Sequence, residues 1–509
     1  MTINFIPNDP QALSGAPPLR KQDQTPDRPT GRSDFDFGTK RQEGAFDPGT
    51  PEFLFWQCRE AAIAAVQAWE ASAGSHTRWQ GDRRKLPLLQ DAGEDLNAFY
   101  DRRSFSFFHR TVGDKTFLSG ASTDVVAHEV GHGLLDSIRP DFFEVNFLEV
   151  GAFHEAFGDC MAMLTALQDS DTRKRLLGQT KTLRARNFVE TTAEELSGAI
   201  RLIMPQHNAA EPRHAFNTLQ FQIPSSLPDT GGPGVLINEV HSFGQVFTGC
   251  FWDLIANLYD AGGSKSEAGL LAAAQLAGKI LIEGIKQAVV APRFLQSAGR
   301  AMVLADQSLH GGANAEQIRD AFRRHGIEIG SGAMVAPAMA LEGVAPRGGT
   351  LAPTTKRDLR RRLRVPAGAK MSFAAGNVFG RRVVHALHTR PIPLGNIDSR
   401  LRGVVAMAHE PVMVGGSGGR AAVIGGLPHA DDTETEVRRF VESLLDHGQI
   451  AEMPARKAPA SRSRTGRVSE MVAPIGSGPV TRVTHEIRTV AGKKMLKRVC
   501  FHCFCGRCR

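Results

Sequence analysis

The chain has 509 residues, 41% apolar and 22% charged, a balance that excludes collagen-like and wholly disordered chains. No stretch reaches the ~20 uninterrupted apolar residues of a membrane helix, and the longest candidate, 270–290, is broken by Gln275, Lys279, Glu283 and Lys286. The net charge of +8 is uneven: from Arg347 onward 29 lysines and arginines face 12 aspartates and glutamates, against 32 and 41 before it. That asymmetry predicts separate modules.

Residues 1–50 are rich in Pro, Gly, Asp, Arg and Gln and read as an extended arm. Their first twenty residues lack the basic-then-apolar pattern of a secretory signal. The three scattered cysteines Cys58, Cys160 and Cys250 do not make a disulfide framework. The expectation is a reducing compartment: a cytoplasmic or leaderless-secreted protein.

Phe55, Ala62, Val66 and Trp69 recur at helical spacing and predict a helix over 51–73. Short aromatic runs within 86–118 read as strands. From Ser122 the pattern is helical again, with Val125, Val126, Val130 and Leu134 in one stripe and Pro140 as its bound. Further helices are predicted near 150–167, 238–259, 266–290, 293–309 and 315–325, with a loop-rich stretch at 206–236. Strands precede helices, so the fold class is α+β. After Gly343 the texture changes. The expected division is a main domain over 51–343, a small mixed accessory domain over 344–453, and a basic linker with a Cys-rich tail over 454–509.

The sharpest chemical signal is His128-Glu129-Val130-Gly131-His132. On a helix, histidines at i and i+4 point the same way and can share one Zn²⁺. Glu129 projects beside them, placed to take a proton from a water. A third His six residues beyond His132 is excluded, because Ile138 stands there. A carboxylate from the next helix is the alternative, and Glu155 fits. Asp159, one turn later, is placed to accept from the outer nitrogen of a ligand His and fix its tautomer. His154 is a rival ligand, offset by about 100° from Glu155 and expected to face elsewhere.

With these motifs in hand, the chain resembles the thermolysin-like metallopeptidases and their fungalysin relatives over about residues 50–330. The run Asp124-Val125-Val126-Ala127-His128-Glu129 stands in the thermolysin pattern, and Glu155 and Asp159 follow as E-A-x-x-D. Asn97-Ala98-Phe99-Tyr100 looks like the family's edge strand, and Glu239-Val240-His241-Ser242-Phe243-Gly244 is similar to the segment supplying its transition-state histidine. The resemblance implies a two-lobed thermolysin-like fold and a zinc endopeptidase. His128, His132 and Glu155 would be the metal ligands, Glu129 the general base, and Asp159 the partner of a ligand His. His241 would donate to the oxyanion, and Asn97 and Ala98 would line the substrate strand. Val125 would border an apolar pocket after the scissile bond. The family's substrate-binding arginine has two candidates, Arg201 and Arg213. Its oxyanion tyrosine has none, since only Tyr100 and Tyr259 occur and position 147 is Phe. No dense carboxylate cluster for calcium is evident in the sequence.

In the C-terminal part, Cys500, Cys503, Cys505 and Cys508 offer two readings, a second, tightly spaced zinc site or a basic tail with reactive thiols. The basic runs 356–364 and 493–498 are candidates for nucleic acid or an acidic partner, but aromatic interleaving is sparse, which favours a solvated face. Two function classes remain: a working zinc endopeptidase acting on protein or peptide, and a catalytically weak peptidase scaffold that binds acidic partners or nucleic acid.

Overall fold

The computed structural model describes residues 1–329 apart from 181, 287 and 289, then 353, 357, 360, 361, 371–378, 381–417, 420–425, 430–451, 453 and 483–502. The chain opens with β1 (Thr2–Phe5), β2 (Arg20–Asp23) and β3 (Asp34–Asp36), the first two pairing antiparallel. The segment read as an extended arm is thus partly strand. Its strand residues Ile3, Phe5 and Phe35 are buried, which ties it to the body of the protein.

Helix α1 (Pro51–Ala73) begins with the Thr50 side chain accepting from the Phe53 N–H and Pro51 in its first turn. Gly74, at φ 79°, ends it. Then come β4 (Lys85–Leu89), β5 (Ala98–Tyr100), β6 (Phe105–Phe107), β7 (His109–Val112) and β8 (Lys115–Leu118).

The helices that carry the candidate ligands follow: α2 (Thr123–Ile138) and α3 (Leu148–Gln168). Ser122 caps α2 by accepting from the Val125 N–H. The pair crosses at glycines. A Cβ on Gly131 would lie 3.1 Å from the Gly158 Cα, and one on Gly158 only 2.6 Å from His128 Nδ1. That close approach brings the two candidate ligand sets together. Two short helices, α4 (Ser170–Gln179) and α5 (Glu194–Ile203), were not expected, although Leu196, Ala199 and Ile200 give α5 a buried apolar face. The two-residue strands β9 (Thr191–Thr192) and β10 (Arg213–His214) pair antiparallel. The remaining helices of this part are α6 (Val240–Ala261), α7 (Glu267–Ile285), α8 (Phe294–His310) and α9 (Ala315–Arg323), near their expected bounds. By length and composition α7 is apolar enough to cross a membrane, but it packs against α1, α6 and α8.

The C-terminal part contributes β11 (Met371–Val378), β12 (Arg381–Pro393), β13 (Val404–Ser417), β14 (Arg420–Gly425), α10 (Ala430–Asp446), β15 (His485–Val490), β16 (Lys493–Arg498) and β17 (Phe501–His502). One sheet runs β11-β12-β13-β16-β15, with β14 on β13. The basic run 493–498 is therefore a strand within that sheet, while most of 356–364 lies outside the described residues. Strand β17 leaves this sheet and joins another, in the order β17-β5-β6-β4-β3. The architecture is α+β, and its apolar core is continuous from Phe5 through the helices to Phe440, Leu496 and Phe501. The change in charge at Arg347 does not coincide with a break in that core.

Candidate metal centre

The α2–α3 crossing buries His128, Glu129 and His132 completely and leaves Glu155 and Asp159 1% exposed. One ligand atom from each of His128, Glu129 and His132 lies within 4.8 Å of the others. Glu155 Oε2 reaches to 3.3 Å from His128 Nε2 and 3.6 Å from His132 Nε2. The outer nitrogen of His128 donates to Asp159 Oδ1 at 2.8 Å. A neutral imidazole that donates from Nδ1 carries its lone pair on Nε2, where a metal ion between it and Glu155 would take it up. His132 Nε2, buried, has no hydrogen-bond partner. Two imidazole nitrogens and one carboxylate oxygen thus converge with electron pairs and few protons, a donor set that suits Zn²⁺.

The surroundings fix the charges. Burial opposes a carboxylate at Glu155, yet the His241 and His132 imidazoles beside it hold its acid well below the ordinary range. Asp159 behaves alike: burial raises it, but Arg213 and then His128 bring it down to about 2. Burial lowers His132 to about 4, so this ring stays neutral. His241 also resists burial: Glu155 and Glu239 raise its pKa to about 9.

Other expected residues fall as follows. His241, in the first turn of α6, places Nε2 3.3 Å from Glu155 Oε2 and donates from Nδ1 to Glu239 Oε1 at 2.6 Å. Ala98 starts β5, and the buried Asn97 precedes it, its side-chain oxygen accepting from the Ala98 N–H. Val125 borders a small cavity with Leu96, Asn97, Phe108 and Leu196. Between the two arginines the structure separates sharply. Arg213 grips both Asp159 oxygens through Nε and Nη2, at 2.8–3.1 Å, whereas Arg201 is exposed on α5. Tyr100 points its hydroxyl at Asp136, 2.9 Å away, and Phe147 is the buried residue preceding α3. Cys500 is buried, its thiol directed at the Val483 carbonyl, and Cys503, Cys505 and Cys508 lie outside the described residues.

His154, the rival ligand candidate, lies outside the donor set but close behind it. Its Nδ1 lies 2.8 Å from Nδ1 of His132, so it meets the outer nitrogen of the second ligand candidate. The 100° offset from Glu155 turns His154 toward His132 because α2 and α3 cross so closely. Glu239 was also missed as a site residue. It caps α6 by accepting from the backbone N–H groups of His241 and Ser242 while bonding the His241 ring. A Glu immediately before a helix whose second residue is His is its sequence signal.

A dense carboxylate cluster does exist. Asp9, Asp124 and Glu194 bring oxygens within 4.8 Å of one another, all buried. Three segments distant in sequence build it, so no local run of acids revealed it. Burial, with Asp124 and Asp9 alongside, raises Glu194 to about 11.

Comparisons with known proteins agree with this geometry. Residues 119–333 match the sequence model of the fungalysin metallopeptidases (M36). The chain is 29% identical over 219 residues to extracellular metalloproteinase 10 of Coccidioides posadasii (strain C735), covering 41% of this chain and 30% of that protein. It is 26% identical over 215 residues to extracellular metalloproteinase 2 of Trichophyton tonsurans and of Arthroderma benhamiae, covering 40% of this chain and 30% of each of them. The chain thus spans under a third of the length of the curated relatives it matches. The match over 119–333 supports a thermolysin-like zinc metallopeptidase of the fungalysin type in that segment, which is under half of this chain.

Proposed function

We propose that the chain is a zinc-dependent endopeptidase in which His128, His132 and Glu155 hold the metal. The observation that carries this is the convergence of those three donors on one buried point, with Glu129 beside them. When bound, zinc supplies Lewis acidity toward a carbonyl and lowers the pKa of a water.

The chain's own residues supply the rest. Glu129 takes the proton of the attacking water and passes it to the leaving amine. His241, kept protonated by Glu239 and Glu155, donates from Nε2 to the oxygen that gains charge. One such donor is worth about 3 kcal/mol. No tyrosine is near this point among the described residues, so His241 carries the stabilisation expected of a phenol. Asp159 fixes the His128 tautomer, and Arg213 fixes Asp159. His154 plays the corresponding part for His132. Asn97 and Ala98 lie where an extended substrate backbone would run along β5, and an apolar residue after the cut would meet Val125.

The test is cleavage of an unstructured protein such as casein by the wild type and by Glu129→Ala, with zinc quantified in both. Chelator-sensitive cleavage by the wild type alone, with zinc in both, supports the reading. Cleavage retained in Glu129→Ala overturns it.

A further inference from the structure

Strand β5 has one neighbour within its own part of the chain, β6. Its other edge is the place where an extended peptide would add to the sheet, since an edge strand offers unpaired backbone donors and acceptors. That edge is taken. Strand β17 pairs with it antiparallel, Phe501 opposite Tyr100 and His502 opposite Phe99. The Phe501 side chain is 1% exposed. Its ring stacks on His154 at 3.9 Å between centroids and on His132 at 5.1 Å, and meets Phe143 edge-on at 5.0 Å.

The space over the candidate ligands is correspondingly small. A cavity of about 40 Å³ remains between Glu155, His241, Phe440, Arg498 and Phe501, room for a water and not for a peptide. A groove of about 790 Å³ lies on the far side of the tail, lined by Phe99, Arg102, Phe143, Arg498 and Cys500.

Several contacts hold the tail there. Strand β16 pairs parallel with β13 at Val404 and Val405. Lys497 pairs with Glu144, and the Arg498 guanidinium lies 4.4 Å from the Phe501 ring centroid. A Cβ on Gly151 would sit 3.0 Å from Arg498 Nη2, so α3 is shaped to receive this arginine. Across the site, Ser443 of α10 donates to the Asn238 carbonyl at 2.9 Å and Arg439 pairs with Asp229 at 2.8 Å. The C-terminal part therefore spans the site from β5 to the segment before His241.

We propose that the segment 499–502 occupies the peptidase cleft as a substrate-like strand, so that the site opens only when this tail leaves, and that the pocket vacated by Phe501 receives an aromatic side chain of an extended peptide. The flat slot between His132, His154 and Phe143 selects a ring over a branched aliphatic chain. The occupancy stands on the geometry alone. Its consequence for activity rests on the peptidase reading.

The experiment uses the full chain and a fluorescent peptide of sequence Lys-Arg-Val-Ser-Phe-His, with Ser in place of Cys. Its binding is measured to the wild type and to Phe501→Ala, with and without zinc, and casein cleavage is followed in parallel. Phe501→Ala is expected to bind the peptide at least tenfold more tightly than the wild type, and a peptide with Ala for Phe is expected to lose that gain. Equal binding by the two chains overturns the proposal, and so does a folded Phe501→Ala chain that captures nothing. Should Phe501→Ala fail to fold, hydrogen exchange in the wild type decides: slow exchange of the tail's own 501–502 amides supports the tail strand, and fast exchange of both overturns it. Capture without cleavage in any variant would sink the peptidase reading and leave the tail in place. Equal cleavage by wild type and Phe501→Ala, with equal binding, would do the reverse.

Discussion

The α2–α3 pair and the β15–β17 segment meet at the same point, yet they differ in how they are specified. The helices carry their chemistry in local spacing. His128 and His132 share a face because they are four apart, and Gly131 and Gly158 let the helices approach. The tail carries nothing comparable. Its strands are short, and its buried Phe501 ring finds its neighbours only across the whole fold. A catalytic constellation can be local in sequence while the element that covers it is not.

Four experiments would break or sharpen that contrast, the first three resting on the zinc reading. Glu129→Ala removes the proposed proton acceptor. Its expected loss of cleavage is about 10²- to 10⁴-fold, with zinc content unchanged by elemental analysis. Gly158→Ala attacks the crossing itself. The new Cβ would lie 2.6 Å from His128 Nδ1, so either α3 shifts or the imidazole leaves Asp159. The expected cost is about 1–3 kcal/mol of stability, with zinc lost in parallel, read by denaturant unfolding and metal analysis. Asp159→Asn keeps the shape but weakens the hold on His128, and should lower zinc affinity about 10- to 100-fold in a chelator competition.

The smallest effect tests a residue away from the site. His76 is buried between Ser33 and Ser137, with ring nitrogens 2.6 and 3.0 Å from their hydroxyls. Burial lowers its pKa to about 4. Its unfolded form takes a proton below about 6.5, and its folded form does so only near 4. The contribution is therefore complete above pH 6.5 and is lost as the pH falls toward 4, by about 2 kcal/mol at pH 5. His76→Gln should flatten the dependence of Tm on pH in that window, by differential scanning calorimetry.

Much of the helical framework was legible because helix bounds are written locally. Thr50 and Pro51 start α1, and Ser122 starts α2. The candidate metal donors stood out for the same reason, through the i, i+4 histidines and the E-A-x-x-D run. Other features were not, because each is made by tertiary contact. The bond between His132 and His154 needs the angle of two helices. The cluster of Asp9, Asp124 and Glu194 needs three segments. The partly stranded arm depends on where Ile3 and Phe35 bury, and its composition masks this. The contact of Arg213 with Asp159 depends on the two-residue pairing of β9 and β10, too short to leave a pattern in sequence.

The pairing of Tyr100 with Phe501 also bears on the order of folding. The two residues are about 400 positions apart, so closing that strand pair costs about 2 kcal/mol more chain entropy than the local α2–α3 contact. The local α2–α3 pair can assemble early, and the sheet edge beside it stays open until the rest of the chain is in place. During synthesis there is thus an interval in which the ligand set exists and the tail does not, and the nascent protein meets its surroundings with that edge bare.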